Sequence, residues 1–344
     1  MGSVAFGVFD HIDRGDGSLG AMYQSRLGLV EAYDRAGFYG YHVAEHHSTP
    51  LGVAPSPSVF LSAVAQRTKT LRFGPLVYTL PLYNPLRLID EICMLDQMSG
   101  GRMMLGVGRG ISPVELGLWG LDTDAAPAMY AEALTVVLKG LTSAELSFVG
   151  QHYNYDRVPM VLEPVQRPHP PLWYGVSRPD AIGWCVANRV NIVAGLPAAA
   201  TRALTDRYRA EWAAAGRTAD TLPMMGASRH VVVARTDAEA LDIARRGYPK
   251  WRESFLHLWL TRSTLLPNPA AIFPETFDEV EAQGRGVAGS PGKVLDALSR
   301  AVEAGGLNYM LCRFAFGDIS DAESRQSVDM FACEVMPAFG MVPA

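Results

Sequence analysis

The residues that could carry out chemistry begin with a histidine-rich segment near the N-terminus. The run His42-Val43-Ala44-Glu45-His46 matches the H-x-x-E-H pattern of zinc peptidases letter for letter. That pattern requires a helix, because both histidines must share one helical face to bind one metal ion. Here the segment lies between Gly40 and Pro50 and begins Tyr-His-Val, which indicates a strand. We therefore expect no metal site in this segment.

On a strand, successive side chains face opposite sides, so His42 and His46 face one way while Glu45 and His47 face the other. If Glu45, His46 and His47 end a strand of a parallel barrel, they lie where such barrels hold their active sites. The alternative interpretation is a pair of histidines satisfied by hydrogen bonds in the core.

A glycine-rich segment, Gly106-Val107-Gly108-Arg109-Gly110, follows another predicted strand. It fails the dinucleotide-binding fingerprint, because Ile111 stands where the third glycine belongs. Residues 284–289 match G-x-G-x-x-G but follow a polar, helix-like stretch, so this signal is also weak. Glycines at 106–110 would let the backbone approach a ligand closely, with Arg109 able to bind an anion. A tight turn is the alternative.

A third segment joins a predicted strand to a helix expected to begin near Pro179. Ser177 and Arg178 would lie at the N-terminus of that helix, where free N–H groups and the helix dipole favour phosphate. The alternative is a capping serine beside a solvated arginine. No Ser-His-Asp or Cys-His set is accompanied by a recognisable nucleophile turn.

The elements that must position these residues alternate strictly between strand and helix, which predicts a parallel sheet. Strands are predicted at 4–9, 41–45, 71–79, 103–107, 171–175, 190–194, 228–233 and 308–314. Eight such strands favour an α/β fold closed as a (β/α)8 TIM barrel over an open sheet. We expect residues 1–344 to form a single domain.

Two stretches interrupt this alternation. Residues 145–165 predict an inserted hairpin with Gly150-Gln151 at its turn. Residues 248–289 show no clear periodicity, which is typical of a lid or binding loop. A packed excursion with helices of its own is the alternative. The aromatic residues Tyr78, Trp119, Trp251 and Trp259 would form an apolar pocket if they face the barrel mouth.

Composition excludes several classes of protein. Hydrophobic residues make up 49% of the 344 and charged residues 19%, which excludes general disorder. The net charge of −5 provides no electrostatic reason to expect nucleic acid or an anionic membrane as a partner. No apolar run approaches the length of a membrane span, and no basic leader precedes Arg14. The cysteines form no C-x-x-C pair and are expected to be buried, which indicates a cytoplasmic protein.

Taken together, these segments resemble the bacterial luciferase-like flavin-dependent monooxygenases. The similarity covers nearly the whole chain apart from 248–289. The matching stretches are AEHH at 44–47, LPLYNPLR at 80–87, LDQMSGGR at 95–102, LGVGRG at 105–110, PLWYG at 171–175 and VMP at 335–337.

The resemblance implies a TIM barrel that takes reduced FMN from a separate flavin reductase. With O2 it would oxygenate a small organic substrate through a flavin C4a-hydroperoxide, and a homodimer is expected. His46 resembles the family's catalytic histidine beside the flavin ring, with Glu45 and His47 supporting that strand end. We therefore assign His46 and Glu45 to the catalytic set.

The resemblance also implies a cofactor site. Phe9 matches a position at the flavin edge, and Leu76 and Val77 match a pair joined by a cis peptide bond beneath the isoalloxazine. Gly108 stands where bacterial luciferase has a reactive cysteine, so light emission is not implied. The remaining residues assigned to the cofactor are Arg109 and Ile111, which follow the predicted strand at 103–107, and Ser177 and Arg178, which match the phosphate loop.

Two other functions stay open at this point. One is a deazaflavin-dependent hydride-transfer enzyme of the same superfamily, which would need no O2. The other is a flavin-binding relative that has lost catalysis, although Glu45, His46 and His47 argue against it. The residues do not name the oxygenated substrate.

Overall fold

Parallel strands arranged as a barrel form the centre of the structure, a computed structural model that describes residues 4–262 and 273–340. Within those residues the strands are β1 (Ala5–Asp10), β2 (Gly40–Val43), β3 (Arg72–Pro75), β4 (Tyr78–Thr79), β5 (Leu105–Gly108), β6 (Glu145–Val149), β7 (Asn154–Pro159), β8 (Leu172–Gly175), β9 (Asn191–Ala194), β10 (Met225–Val233), β11 (Gly286–Gly289) and β12 (Tyr309–Arg313). The order in the sheet is β3, β2, β1, β12, β10, β9, β8, β5, β4, and β11 pairs with β10.

The barrel closes where β3 and β4 meet β5. These two short strands are halves of one barrel position, interrupted by Leu76 and Val77. The Met104 N–H donates to the Phe73 carbonyl at 2.7 Å, and Tyr78 of β4 pairs with Val107 of β5. In the part of the chain that is described, the nine strands of this order therefore occupy eight positions around the barrel, because β3 and β4 share one. The predicted (β/α)8 fold is confirmed.

Helices follow most of the strands and cover the outside of the barrel. They are α1 (Leu19–Arg35), α2 (Pro57–Arg67), α3 (Pro85–Ser99), α4 (Pro113–Leu118), α5 (Ala126–Thr142), α6 (Ile182–Ala187), α7 (Ala198–Ala214), α8 (Asp237–Arg262), α9 (Phe277–Ala282), α10 (Pro291–Gly305) and α11 (Asp321–Met330). Local signals set their ends: α3 begins at Pro85 after the capping side chain of Asn84 and stops at the left-handed Gly100. None of the described helices is both long and apolar enough to span a membrane.

Large aromatic side chains fill the inside of the barrel. Tyr309 and Trp173 are fully buried there with Met104. Gly7 leaves room for this packing, because a Cβ at that position would lie 1.8 Å from the Tyr309 hydroxyl oxygen. Because the interior is packed in this way, the space for a ligand lies at the carboxyl ends of the strands.

The predicted hairpin insertion is confirmed. Strands β6 and β7 pair antiparallel, with Leu146 opposite Val158, and form a two-stranded sheet apart from the barrel. The Glu132 carboxylate of α5 accepts the backbone N–H groups of residues 151–153 and so holds the turn.

The prediction of an irregular segment over 248–289 is wrong for most of its length. Helix α8 continues through Arg262, and α9 and β11 follow, so the alternative of an excursion with its own helices is correct. Residues 263–272 of that segment lie outside the described residues. The pattern was obscured because Pro249 lies inside α8 and because Trp251 is buried among aromatic neighbours. The G-x-G-x-x-G match at 284–289 leads into a strand rather than a phosphate loop.

The cysteine expectation holds for three of the four residues. Cys93, Cys185 and Cys312 are buried, whereas Cys333 is exposed. Cys333 lies in the helical turn that follows α11 near the end of the described chain, on a side that the core does not cover.

Candidate active site

The sequence-predicted site residues all lie at one edge of the barrel. Phe9 is near the end of β1, residues 45–47 follow β2, residues 108–111 end β5 and its loop, and Ser177 and Arg178 follow β8. Because the strands are parallel, their carboxyl ends meet at the same mouth, which is where TIM barrels hold active sites.

His46 is held by a carboxylate that the sequence reasoning missed. The His46 Nδ1 lies 3.0 Å from Glu115 Oε1, and the His47 backbone N–H donates to Glu115 Oε2 at 2.9 Å. Burial alone would raise the pKa of Glu115, but His46 and the His47 N–H bring it below its usual value. The ionised carboxylate can only accept, so we assign the proton to Nδ1 of His46. This leaves Nε2 as the nitrogen available for chemistry.

Glu115 did have a local signal. Ser112 precedes it by three residues, and the Ser112 hydroxyl accepts the Glu115 N–H at 3.2 Å as the N-cap of α4. The spacing S-x-x-E after a strand is typical of a helix start that places a carboxylate in the first turn. Its pairing with His46, however, depends on the fold.

Glu45 has a different environment from His46. Its carboxylate accepts the Tyr83 hydroxyl at 2.8 Å and the Thr79 N–H at 3.2 Å, and its other oxygen lies 3.0 Å from His47 Nε2. The side chain is buried. These contacts tie the loop after β2 to β4 and to the turn that follows it.

His11 is a second residue that the sequence reasoning missed. Its ring stacks on His46 with centroids 5.8 Å apart, and the Phe9 ring lies at 4.9 Å. The Trp251 indole N–H donates to His11 Nδ1 at 3.4 Å, so the His11 proton is assigned to Nε2. Burial, followed by the charge of Arg313, lowers the pKa of His11 well below its ordinary value. Its position two residues beyond Phe9, directly after β1 ends at Asp10, was the available signal.

The Leu76–Val77 peptide bond is cis, as the resemblance implies. Glycines on β5 allow the close approach of the neighbouring strand. A Cβ at Gly108 would lie 2.4 Å from Val77 Cγ2, and one at Gly106 would lie 1.9 Å from the Pro75 carbonyl oxygen. At these two positions β5 therefore presents backbone rather than side chains.

The loops after β5 and β8 each carry an exposed arginine, Arg109 and Arg178. Burial raises the pKa of Tyr174, while the charges of Arg109 and Arg178 both act on its hydroxyl to lower it. Ser177 is exposed, and Arg178 forms a 3.2 Å ion pair with Asp180. A 3-10 turn over Pro179–Ala181 begins here and α6 follows, so the predicted helix start is close to correct.

Three of the four aromatic candidates lie near the mouth. Trp259 lines an open cavity beside His46, and the ring centroids of Trp119 and His47 lie 5.2 Å apart. Trp251 contacts His11, as described above. Tyr78 instead donates to or accepts from Ser58 of α2 outside the barrel. Other residues lining the cavity are His46, Thr49, Leu51, Ile111, Ser112, Glu115, Phe255 and Leu258.

The H-x-x-E-H residues do not converge on one point. His42 Nε2 lies 3.1 Å from the Tyr309 hydroxyl inside the barrel, whereas His46 contacts Glu115 at the mouth. In the described ranges, no group of three or more His, Cys, Asp or Glu side chains is arranged to hold a metal ion.

These features define a TIM-barrel protein with a histidine–carboxylate pair at its mouth. The family model described as luciferase-like monooxygenase matches residues 4–308. The chain belongs to the luciferase-like monooxygenase family and is a flavin-dependent oxidoreductase.

Three similar proteins illustrate this membership. The protein y4wF of Sinorhizobium fredii is 40% identical over 98% of both chains. The oxygenase component of the flavin-dependent trigonelline monooxygenase of Acinetobacter baylyi is 26% identical over 55% of this chain and 53% of its own. The oxygenating constituent of 3,6-diketocamphane monooxygenase from Pseudomonas putida, solved with FMN, has a TM-score of 0.80 at 20% identity and 99% coverage of both chains.

Proposed function

We propose that this protein is the oxygenase component of a two-component FMN-dependent monooxygenase. It would take reduced FMN from a separate flavin reductase and use O2 to oxygenate a small organic substrate. The observation that carries the proposal is the His46–Glu115 pair, which stands at the barrel mouth together with the exposed Arg109 and Arg178 of the loops after β5 and β8. The oxygenase component named among the relatives supports the expectation of a reductase.

The residues at the mouth fit FMN. A phosphate dianion needs cations and hydroxyl donors, and exposed Arg109, Ser177 and Arg178 offer both. A planar ring system needs apolar surface, and Phe9 and Leu76, which are only partly buried, offer it at the strand ends. The residues that would hold the cofactor are Phe9, Leu76, Val77, Gly108, Arg109, Ile111, Ser177 and Arg178.

Reduced FMN, when bound, supplies the two electrons for O2 activation, after which one oxygen atom enters the substrate and the other leaves as water. The protein contributes proton transfer and exclusion of water. His46 Nε2 would accept and return a proton, while Glu115 holds Nδ1 and keeps the ring oriented. Glu45 acts through its hydrogen bonds to the strand ends and is a positioning residue. Trp251 and Trp259 would shield the reacting atoms from water.

Rapid-mixing absorbance tests the function. The protein is mixed with reduced FMN without oxygen, and O2 is then added. We expect a transient species that outlives the oxidation of free reduced FMN, and we expect His46→Ala to shorten its lifetime. Return to oxidised FMN at the rate of the free flavin would contradict the proposal. Tight binding of a deazaflavin with no requirement for O2 would favour hydride transfer instead.

We also propose a cytoplasmic location, supported by cysteines that form no disulfide in the described residues.

A further inference from the structure

A buried arginine at the carboxyl end of β12 has unfilled hydrogen-bond donors. Arg313 is 6% exposed, and its Nη2 donates to the Ser228 hydroxyl at 3.2 Å. Its Nε and Nη1 have no hydrogen-bond partner among the residues that the structure describes. Tyr309 and Leu311 point into the barrel, and Arg313 shares their side of the strand. The guanidinium therefore faces the barrel mouth rather than the outer helices.

The charges around Arg313 have the same sign as its own. Burial, followed by the charges of Arg285 and Arg229, lowers its pKa to about 9. The side chain therefore stays protonated at neutral pH, buried among other cations. A buried cation without an opposite charge is costly, and an anion that enters the site would relieve that cost.

A histidine on the neighbouring strand lies beside Arg313. His230 of β10 is in register with Arg313, and both of its ring nitrogens are buried without a hydrogen-bond partner in the described residues. Burial and the charges of Arg313 and Arg285 lower the pKa of His230, so the ring is neutral and carries one N–H. Arg313 and His230 together thus hold several donors that no described protein group satisfies.

Aromatic rings surround these donors and connect them to His46. The Arg313 guanidinium carbon lies 4.8 Å from the Phe9 ring centroid and 5.8 Å from that of Trp251. Trp251 and Phe9 both contact His11, and His11 stacks on His46. A ring held among these side chains would be close to the proposed proton-transfer nitrogen.

If Arg109 binds the FMN phosphate, Arg313 cannot bind the same phosphate. Around the barrel, β12 and β5 are four positions apart in either direction and so lie on opposite sides. Eight strands spaced by roughly 4.8 Å and tilted about the axis give a barrel about 15 Å across.

We propose that Arg313 and His230 bind the carboxylate of an aromatic substrate and hold its ring beside His46. This inference rests on the proposed function, because it names the substrate class of that same site. The anionic oxygens would accept from the guanidinium and the imidazole, while the ring would pack against Phe9 and Trp251.

The test is calorimetric binding to the flavin-free full chain, with benzoate and 2-naphthoate as probes. Benzamide and 2-naphthamide serve as neutral matches of the same shape. We expect the carboxylates to bind about tenfold more tightly than the amides. Arg313→Met should remove that preference and leave amide binding unchanged, whereas Arg300→Met, on the exposed surface of α10, should leave both unchanged.

Several results would overturn the inference. Equal affinity for acid and amide, absence of binding of either probe, or an unchanged preference in Arg313→Met would each do so, provided that circular dichroism shows the variant folded. FMN binding is titrated separately by flavin fluorescence. If FMN fails to bind but the carboxylate preference remains, the proposed function fails and the anion site stands. If Arg313→Met weakens FMN and carboxylates equally and the two compete, the site belongs to the flavin.

Discussion

At the scale of single residues, the hydrogen bond that His46 Nδ1 donates to Glu115 decides which nitrogen of His46 is available. Glu115 lies 69 positions further along the chain and binds both the His46 ring and the His47 backbone. A histidine oriented in this way has one fixed tautomer, which is the usual requirement of a general acid or base.

Replacing Glu115 by Gln should disturb that tautomer without unfolding the protein. The amide still fits the site, but it carries no charge and presents only one acceptor oxygen. We expect a smaller population of the Nδ1–H form of His46, with turnover reduced about tenfold or more. Nitrogen chemical shifts of labelled histidine measure the tautomer. The control is His169→Gln. Among the described residues, the His169 ring has a hydrogen-bond contact only with the Pro170 carbonyl.

Asp13, a buried carboxyl in the loop after β1, should make stability depend on pH. Burial raises the pKa of Asp13 to about 7, although Arg26 and the N–H of Gly317 oppose the shift. Because this value exceeds that of the unfolded chain, the folded protein retains a proton that the unfolded chain releases. Stability from this group is therefore present below about pH 4 and lost as the pH rises to 7.

Asp13→Asn removes this titration and keeps an oxygen to accept the Gly317 N–H. Relative to the variant, the wild-type free energy of unfolding should fall by roughly 2–4 kcal/mol between pH 4 and pH 8. Urea unfolding at several pH values gives both curves. Parallel curves would show that Asp13 does not titrate in this range.

At the scale of elements, the position of β5 depends on residues without side chains. Gly106 and Gly108 face the interrupted strand formed by β3 and β4, and there is no space for a Cβ at either position. Close packing of β5 against the interrupted strand therefore requires glycine at both positions.

Gly106→Ala should destabilise the barrel by about 3 kcal/mol or more, because the new methyl group would overlap the Pro75 carbonyl oxygen and force the two strands apart. Denaturant unfolding measures the loss. The matched control is Gly292→Ala in α10, where a Cβ would meet no atom within 4 Å. The control should leave stability unchanged or slightly raised. Equal effects at both positions would contradict the steric argument.

At the scale of the whole molecule, the barrel gathers residues from distant parts of the chain into one mouth. Trp251 contacts His11, which lies 240 positions earlier in the chain. Arg313, near the C-terminal end, lies over the ring of Phe9 in the first strand. The long helix α8 supplies the aromatic side chains that cover this mouth. Any substrate must fit between that aromatic cover and the strand ends.

A homodimer stays a prediction of the family resemblance. Sedimentation equilibrium of the purified full chain should give about twice the 37.3 kDa of one copy. A single-copy mass across the micromolar concentration range would contradict it.

The amino-acid pattern alone predicted the eight strands, the inserted hairpin and the loops that carry the site residues. These features depend on local periodicity and on proline and glycine signals, which act over a few residues. The helix over 248–262 was missed because Pro249 lies inside it and because exposed Leu260 interrupts its apolar period. Only the tertiary structure decided that Glu115 meets His46, that Trp251 meets His11 and that Arg313 stays without a carboxylate partner among the described residues. Those contacts depend on where strand ends converge and how side chains turn, and no local pattern encodes that convergence.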